Sequence, residues 1–306
     1  MPQPVDPRIK LRHLSCFLEV ARLKSVGNAA QGLNISQPAV SKTIQELEQL
    51  LGGSLFDRSR RKLVLTPFGE VFHRYAATSL AALRQGVDLA RGAREASVLR
   101  IGALPTVSAR ILPSAVAAFT ASSPSARTRI ITGPNDYLLT LLRTGDVDLV
   151  IGRMAEPDAM AGLSFEHLYS ESVVMVVRPE HPLLIEPDFD LPMIERYQTL
   201  MPTPSSVIRR PVDRMLLAHG ISALRDEVET VSNAFGRSYI RQTDAVWIIS
   251  EGVVADDLAE GYLVRLPVDT SETQGPVGFT TRTQTIPTLA ASSLIQCVRD
   301  AASRLP

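Results

Sequence analysis

Apolar positions between Ser25 and Leu51 follow two helical periods separated by a short turn. Val40, Ile44, Leu47 and Leu51 recur at spacings of four, three and four, which is one stripe of an amphipathic helix. Ser36 stands where an N-cap belongs, with Pro38 in the first turn, where a missing N–H does no harm. Ser25 caps a shorter helix that carries Ala29 and Ala30 and ends near Leu33; Asn34 and Ile35 make the turn. Gln37, Ser41, Gln45 and Glu48 line the side away from the stripe, bordered by Lys42. Amide, hydroxyl and ammonium groups on a helix of this size suit the DNA major groove, where Gln and Lys read base edges and Ser bonds to phosphate or base. The pattern predicts a helix-turn-helix with 37–50 as recognition helix. A solvated αα-hairpin would show the same two helices, so the next stretch decides. Gly52 and Gly53 end the helix, and the apolar runs in LFDR and LVLT flank SRRK, which reads as a β-hairpin wing. Its tip carries Arg58, Arg60, Arg61 and Lys62, cations placed for phosphate or minor-groove contacts.

On either side of this region the pattern is simpler. Leu14, Phe17, Leu18 and Ala21 share a face of a first helix over 11–22. Thr66 caps a long helix from Pro67 to about Glu95, with Glu70 in its first turn and Gly69, Gly86 and Gly92 as weak points. Phe68, Phe72, Tyr75, Leu83, Val87 and Ala90 form a seam along it that needs a partner, either the rest of the chain or a second copy. From Val98 strands and helices alternate. Strands are expected at 98–104, 128–132, 147–152, 173–178, 227–231, 245–249, 262–266 and 276–282, and helices near 110–121, 135–144, 205–219, 233–242, 252–260 and 288–304. That alternation predicts a parallel, helix-covered sheet.

Composition sharpens the division. The 306 residues suffice for two or three compact units. Net charge is zero, yet residues 1–95 carry 14 Lys plus Arg against 8 Asp plus Glu, a basic head on an acidic body. Cys16 and Cys297 are far apart and suggest neither a disulfide framework nor a metal site. MPQPVDPRIK lacks the apolar core of a signal peptide, and no run approaches the ~20 residues that span a bilayer, so a cytoplasmic protein without a membrane partner is expected. There is no GxSxG, Walker loop, GxGxxG or HExxH, and His13, His73, His167, His181 and His219 are scattered. No catalytic residue, metal or cofactor is therefore assigned. A solute-binding protein is the rival reading; the helix-turn-helix opposes it.

The stretch AAQGLNISQPAVSKTIQELEQLLGGSLFDRSRRKLVLTPFGE resembles the N-terminal signature of LysR-type transcriptional regulators. It carries the SQPAVS core, the LE-x-x-LG spacing, the LF-x-R step and the LT-x-x-G approach to the next helix. GDVDLVIG at 145–152 and VVRPEHPLL at 176–184 extend the likeness over nearly the whole chain. The resemblance implies an α/β protein: an N-terminal winged helix-turn-helix over 1–66, a linker and dimerisation helix over 67–95, and a two-lobed, periplasmic-binding-protein-like effector domain over 96–306. The first lobe would take about 96–167 and 273–306, the second about 168–272, with crossovers near 166–172 and 268–275. Implied partners are double-stranded promoter DNA, RNA polymerase and further copies of the chain, as dimers assembling to tetramers. Within the family, DPRIKLRHLSCFLEVAR at 6–22 and AALRQGVD at 81–88 resemble the activators of protocatechuate catabolic operons, which implies a carboxylated ring-cleavage product as effector. A regulator of sugar transport has similar N-terminal text and remains the alternative.

Open α/β sheets bind ligands at the carboxyl ends of their strands, often against helix N-termini. Those positions hold Thr106 and Ser108, Gly133 to Asn135, Arg153, Thr203 to Ser206, and Ser232, Asn233 and Phe235. The candidate effector residues are Thr106, Ser108, Asn135, Arg153, Thr203, Pro204, Ser205, Ser206, Asn233 and Phe235. Each alone is an ordinary helix cap. Together, at matching corners of two lobes, hydroxyls and free N–H groups favour a small carboxylate, with Arg supplying charge. Arg209 and Arg210 either join them or face solvent.

Overall fold

The computed structural model describes residues 6–57, 63–90, 98–123, 126–283 and 287–305. The expected wing tip, Arg58, Arg60, Arg61 and Lys62, lies outside the described residues, as do Glu95 and the side chain of Ala90. The chain divides into two compact units, Met1–Ala93 with Arg143–Gly145, and Arg94–Leu142 with Asp146–Pro306.

In the first unit, α1 (Leu11–Leu23), α2 (Val26–Gly32) and α3 (Gln37–Leu51) are followed by β1 (Phe56–Asp57), β2 (Val64–Leu65) and α4 (Pro67–Ala90). The caps fall where the hydroxyls predict them. Ser25 Oγ accepts the N–H of Asn28, and Ser36 Oγ accepts that of Ala39. Asn34, in the turn between α2 and α3, takes φ +55°, a left-handed conformation that Asn tolerates better than most residues. Phe17 is fully buried and meets the rings of Phe56 and Phe72 at 5.5 and 5.4 Å, with Val20, Val40, Ile44, Leu47 and Leu55 around it. Phe72 thus serves the head's core and not the seam of α4. Antiparallel β1 and β2 form the wing stem, pairing Phe56 with Leu65 and Asp57 with Val64. Thr66 locks it to α4, donating through Oγ1 to Ser54 O and accepting the N–H of Gly69. A Cβ on Gly69 would stand 2.1 Å from Leu55 O, so this glycine is required by the close approach of two backbones.

The second unit holds two lobes. The first comprises β3 (Val98–Ala103), α5 (Pro105–Arg110), α6 (Leu112–Ser122), β4 (Arg127–Thr132), α7 (Asn135–Thr144), β5 (Leu149–Arg153) and β6 (Leu163–Glu171). The second has β7 (Val173–Val177), β8 (Thr199–Met201), α8 (Arg209–Ala218), β9 (Glu227–Glu229), α9 (Asn233–Ile240), β10 (Val246–Ser250), α10 (Glu251–Ala259) and β11 (Val264–Arg265). The chain then returns to the first lobe with β12 (Gly275–Arg282) and α11 (Leu289–Ala302). Strand orders are β4-β3-β5-β12-β6 and β11-β7-β10-β8-β9. The expected wholly parallel sheet is corrected in both lobes. β12 runs antiparallel to β5 and β6, and β7 to β10 and β11: the strand that enters each lobe from the other runs against its sheet, while the strand that leaves, β6 or β11, keeps the sheet's direction. Phe119, Leu112, Leu294 and Val298 cover one face of the first sheet; Leu138, Leu139 and Leu142 cover the other. Trp247, 1% exposed, lies in the core of the second lobe with Met215 and Ile240.

Three further expectations shift. The helix expected at 110–121 is two, α5 and α6, and the one expected at 205–219 begins at Arg209. Polar β6 and three-residue β8 give no apolar run to read. Since β6 pairs with β12 as far as Glu171, the first crossover is Ser172, and residues 168–171 belong to the first lobe instead of the second. The second crossover spans 266–274. The two are tied at Val173, whose carbonyl accepts from Thr270 Oγ1 at 2.6 Å and whose N–H donates to Thr273 Oγ1 at 2.9 Å.

Replacing Phe17 by Ala removes the ring at the centre of the head and is expected to cost about 3–5 kcal/mol. Urea denaturation followed by circular dichroism should show an earlier transition; an unchanged midpoint would mean the three rings do not carry the head.

Candidate DNA-binding face and effector pocket

The sequence-predicted DNA face forms on the first turns of α3. Ser36, Gln37, Pro38, Lys42 and Gln45 are exposed and Ser41 is half-buried, while Val40, Ile44 and Leu47 are buried beneath. Glu48 departs from the expected polar row. Its Oε1 accepts the backbone N–H groups of Leu55 at 2.8 Å and Phe56 at 3.4 Å, so this carboxylate holds the wing stem to the helix. On another side of α3, Glu46 Oε2 stands 3.5 Å from both Arg12 Nη2 and the Nε2 of buried His13. His13 Nδ1 accepts the N–H of Lys10, which leaves Nε2 to carry the neutral ring's proton. α3 is thus held by α1 and the wing stem while its outer face stays open.

In the second unit a cavity of about 460 Å³ opens between the lobes at the carboxyl ends of the strands, within the range of ligand sites. Thr106, Ser108, Asn135 and Arg153 from the first lobe and Thr203, Ser205, Ser206 and Asn233 from the second all line it. Pro204 and Phe235 do not. Pro204 occupies the second position of a turn closed by Ser206 N–H to Thr203 O, so its ring projects outward. Phe235 is 42% exposed and stacks on Tyr239 one helical turn away, with ring centroids 5.2 Å apart. Ser232 lines the cavity and also caps α9, accepting the N–H of Phe235.

The cavity's charge comes from Arg153. Its Nη2 donates to the carbonyls of Glu171 at 2.6 Å and Thr273 at 2.5 Å. Its Nη1 is buried and has no hydrogen-bond partner among the described residues. Burial pulls this guanidinium below its ordinary range, against the opposing charge of Glu171. Arg209, the other candidate, is spent on Asp213, Glu229 and the carbonyl of Pro202, which pins the 202–206 loop. Arg210 faces solvent, with Glu156 3.8 Å away.

Comparison with known proteins gives both units a kinship. The family model for "LysR substrate binding domain" matches residues 92–303, and that for "Bacterial regulatory helix-turn-helix protein, lysR family" matches residues 11–70. The chain belongs to the LysR family of transcriptional regulators. As a LysR regulator it binds DNA and a small-molecule effector, and its class is non-enzymatic. It is 52% identical over 303 residues to the HTH-type transcriptional regulator PcaQ of Agrobacterium fabrum, covering 98% of this chain and 97% of PcaQ. It is 37% identical to the uncharacterized HTH-type transcriptional regulator YdcI of Escherichia coli, covering 95% of each. Full-length LysG of Corynebacterium glutamicum with bound effector Arg superposes with a TM-score of 0.64 at 21% identity, covering 96% of this chain and 98% of LysG, a likeness of fold.

Sequence reasoning missed several lining residues of this LysR regulator. Thr132, Ser250 and Val253 also line the cavity. The first two end β4 and β10, so the strand-end rule that found Thr106 would have found them. Glu171 had no such signal, because its role depends on groups brought together by the fold. Among the described residues no helix is long and apolar enough to cross a membrane, and no group of three or more His, Cys, Asp or Glu could hold a metal ion.

Proposed function

We propose that this LysR regulator activates an aromatic-catabolic operon from the cytoplasm, reading promoter DNA with α3 and answering a small organic anion between its lobes. The observation that carries the anion is Arg153. A buried guanidinium nitrogen without a partner is costly to leave unmade, and a carboxylate supplies the missing acceptor. Thr106, Asn135 and the 203–206 loop offer the remaining contacts. The 52% identity to PcaQ over nearly the whole chain does not favour the sugar-transport alternative.

On the DNA side, Gln37, Ser41 and Lys42 reach the major groove, supported by Ser36, Pro38 and Gln45, and the cations of 58–62 contact the backbone. A single recognition helix makes few base contacts, so two heads on neighbouring half-sites must act together. α4 is suited to join them: Phe68, Val71, Tyr75, Leu83 and Val87 are 39–67% exposed along one broad side of it. Dimers paired through α4 then assemble to tetramers through the effector lobes and engage RNA polymerase at the promoter. Lobe closure on the effector alters the spacing of the heads, which makes DNA and effector reciprocal modulators of each other's affinity.

Three measurements test these assignments. Gln37→Ala or Lys42→Ala should cost about 1–3 kcal/mol on the specific site, read by gel shift; unchanged binding after combined replacement of Gln37, Ser41 and Lys42 would remove α3 from the readout. Calorimetry on the full chain should find carboxylated ring-cleavage intermediates bound and neutral sugars not, with Arg153→Met weakening the carboxylates by about tenfold or more. Equal affinity for the two classes would refute the anion. Light scattering should give a dimer or tetramer, and a monomer at working concentration would sink the assembly.

A further inference from the structure

Glu171 is the last residue of β6, 4% exposed, at the point where the chain passes to the second lobe. Its Oε1 accepts the hydroxyl proton of Thr106, 2.5 Å away in the first lobe. Its Oε2 accepts the N–H of Gly252, at 3.3 Å from the start of α10 in the second. A Cβ on Gly252 would stand 2.5 Å from Thr106 Oγ1 and 2.8 Å from Glu171 Oε2, so only glycine lets the lobes meet here. Thr106 also lines the cavity. A hydroxyl has one proton, and while Glu171 is ionised Thr106 gives that proton to Glu171 and can offer an effector carboxylate only lone pairs.

We infer, on the anion-pocket reading above, that Glu171 takes up a proton when a carboxylate enters the cavity, and that this proton reverses the Thr106 hydrogen bond. Neutral Glu171 donates from Oε1 to Thr106 Oγ1 and still accepts the Gly252 N–H at Oε2. The hydroxyl proton of Thr106 is then free to donate to the effector. The proton comes from solvent, and no covalent bond changes beyond its transfer. The incoming charge favours this outcome, since a second carboxylate beside the first and sharing Arg153 disfavours two negative charges in one buried site.

The surroundings agree. Burial holds the Glu171 carboxyl above its ordinary range, opposed by the Thr106 hydroxyl, by Arg153 of β5 and Arg110 of α5, and by the Gly252 amide. Tyr169, two residues earlier on β6, is held above its usual range by burial and by Glu171, and stays a neutral phenol. On α10, Glu251 is paired with Arg265 at 2.6 Å, and the second crossover presents the hydroxyls of Thr270 and Thr273 to Val173. The effector raises the pKa of Glu171 further. Anion affinity is therefore greatest below the pKa of the free protein and falls as pH rises through that of the complex, by at most about tenfold per pH unit.

The test is calorimetry of the full chain with carboxymuconate in buffers of different ionisation enthalpy, across roughly pH 6 to 8. Wild-type protein should take up a net fraction of a proton approaching one. Glu171→Gln should bind as tightly as wild type does at its low-pH limit and take up none, because the amide donates permanently to Thr106 and accepts from Gly252. A purely structural Glu171 predicts the opposite, a variant that binds worse. Binding by wild type without proton uptake, or a folded Glu171→Gln that binds tenfold more weakly, overturns the inference while leaving the anion pocket standing. If the variant does not fold, wild-type uptake decides by itself. Carboxymuconate that binds at no pH removes the anion reading and this inference together.

Discussion

The guanidinium of Arg153 joins the parts of the effector domain at which the chain passes between its lobes. It sits at the end of β5 and donates from one nitrogen to carbonyls on both sides of the lobe passage, Glu171 at the first crossover and Thr273 at the second. Both crossovers are thus held to the first lobe by one cation, while its other terminal nitrogen is buried without a partner among the described residues. Removing a charge from water is costly, and backbone carbonyls compensate it only in part. The cavity and the passage between the lobes therefore share a side chain. An acceptor that arrives at Nη1 acts on the residue that fastens the passage between the lobes.

Around this point the remaining polar groups are assigned in pairs. Thr270 and Thr273 satisfy both backbone groups of Val173, and Arg209 ties the 202 loop to Asp213 and Glu229. The head follows the same economy. Glu48 and Glu46, polar residues of α3, are committed to the wing stem and to α1. What stays exposed on its first turns is a set of neutral and cationic groups, Ser36, Gln37, Lys42 and Gln45, of the kind that suits a polyanion.

How much of this the chain's text discloses depends on the range of the interaction concerned. Caps, turns and stripes are local. Ser25, Ser36, the Val40–Ile44–Leu47 stripe and the start of α4 at Pro67 all lie where spacing places them. The rule of strand ends and helix starts located eight of the ten candidate effector residues on one cavity, because in an α/β sheet the ends of neighbouring strands and the starts of the helices after them converge whatever side chains they carry. It failed at Pro204 and Phe235, where a turn and an i, i+4 aromatic stack, not strand order, orient the side chain.

By itself, then, the sequence determined the helix-turn-helix, the two-lobed alternation, the family and the corners that line the cavity, since each follows from periodicity, local hydrogen bonding or a contiguous motif. Tertiary structure alone decided which charges are free. Arg153 and Arg209 look alike in the chain, yet one is spent on three acceptors and the other keeps a nitrogen unpartnered among the described residues. Only the fold brings Glu171 to Thr106, 65 residues before it, and to Gly252, 81 after. Electrostatic roles depend on distance in space and on exclusion of water, and neither is a property of neighbouring residues in a chain.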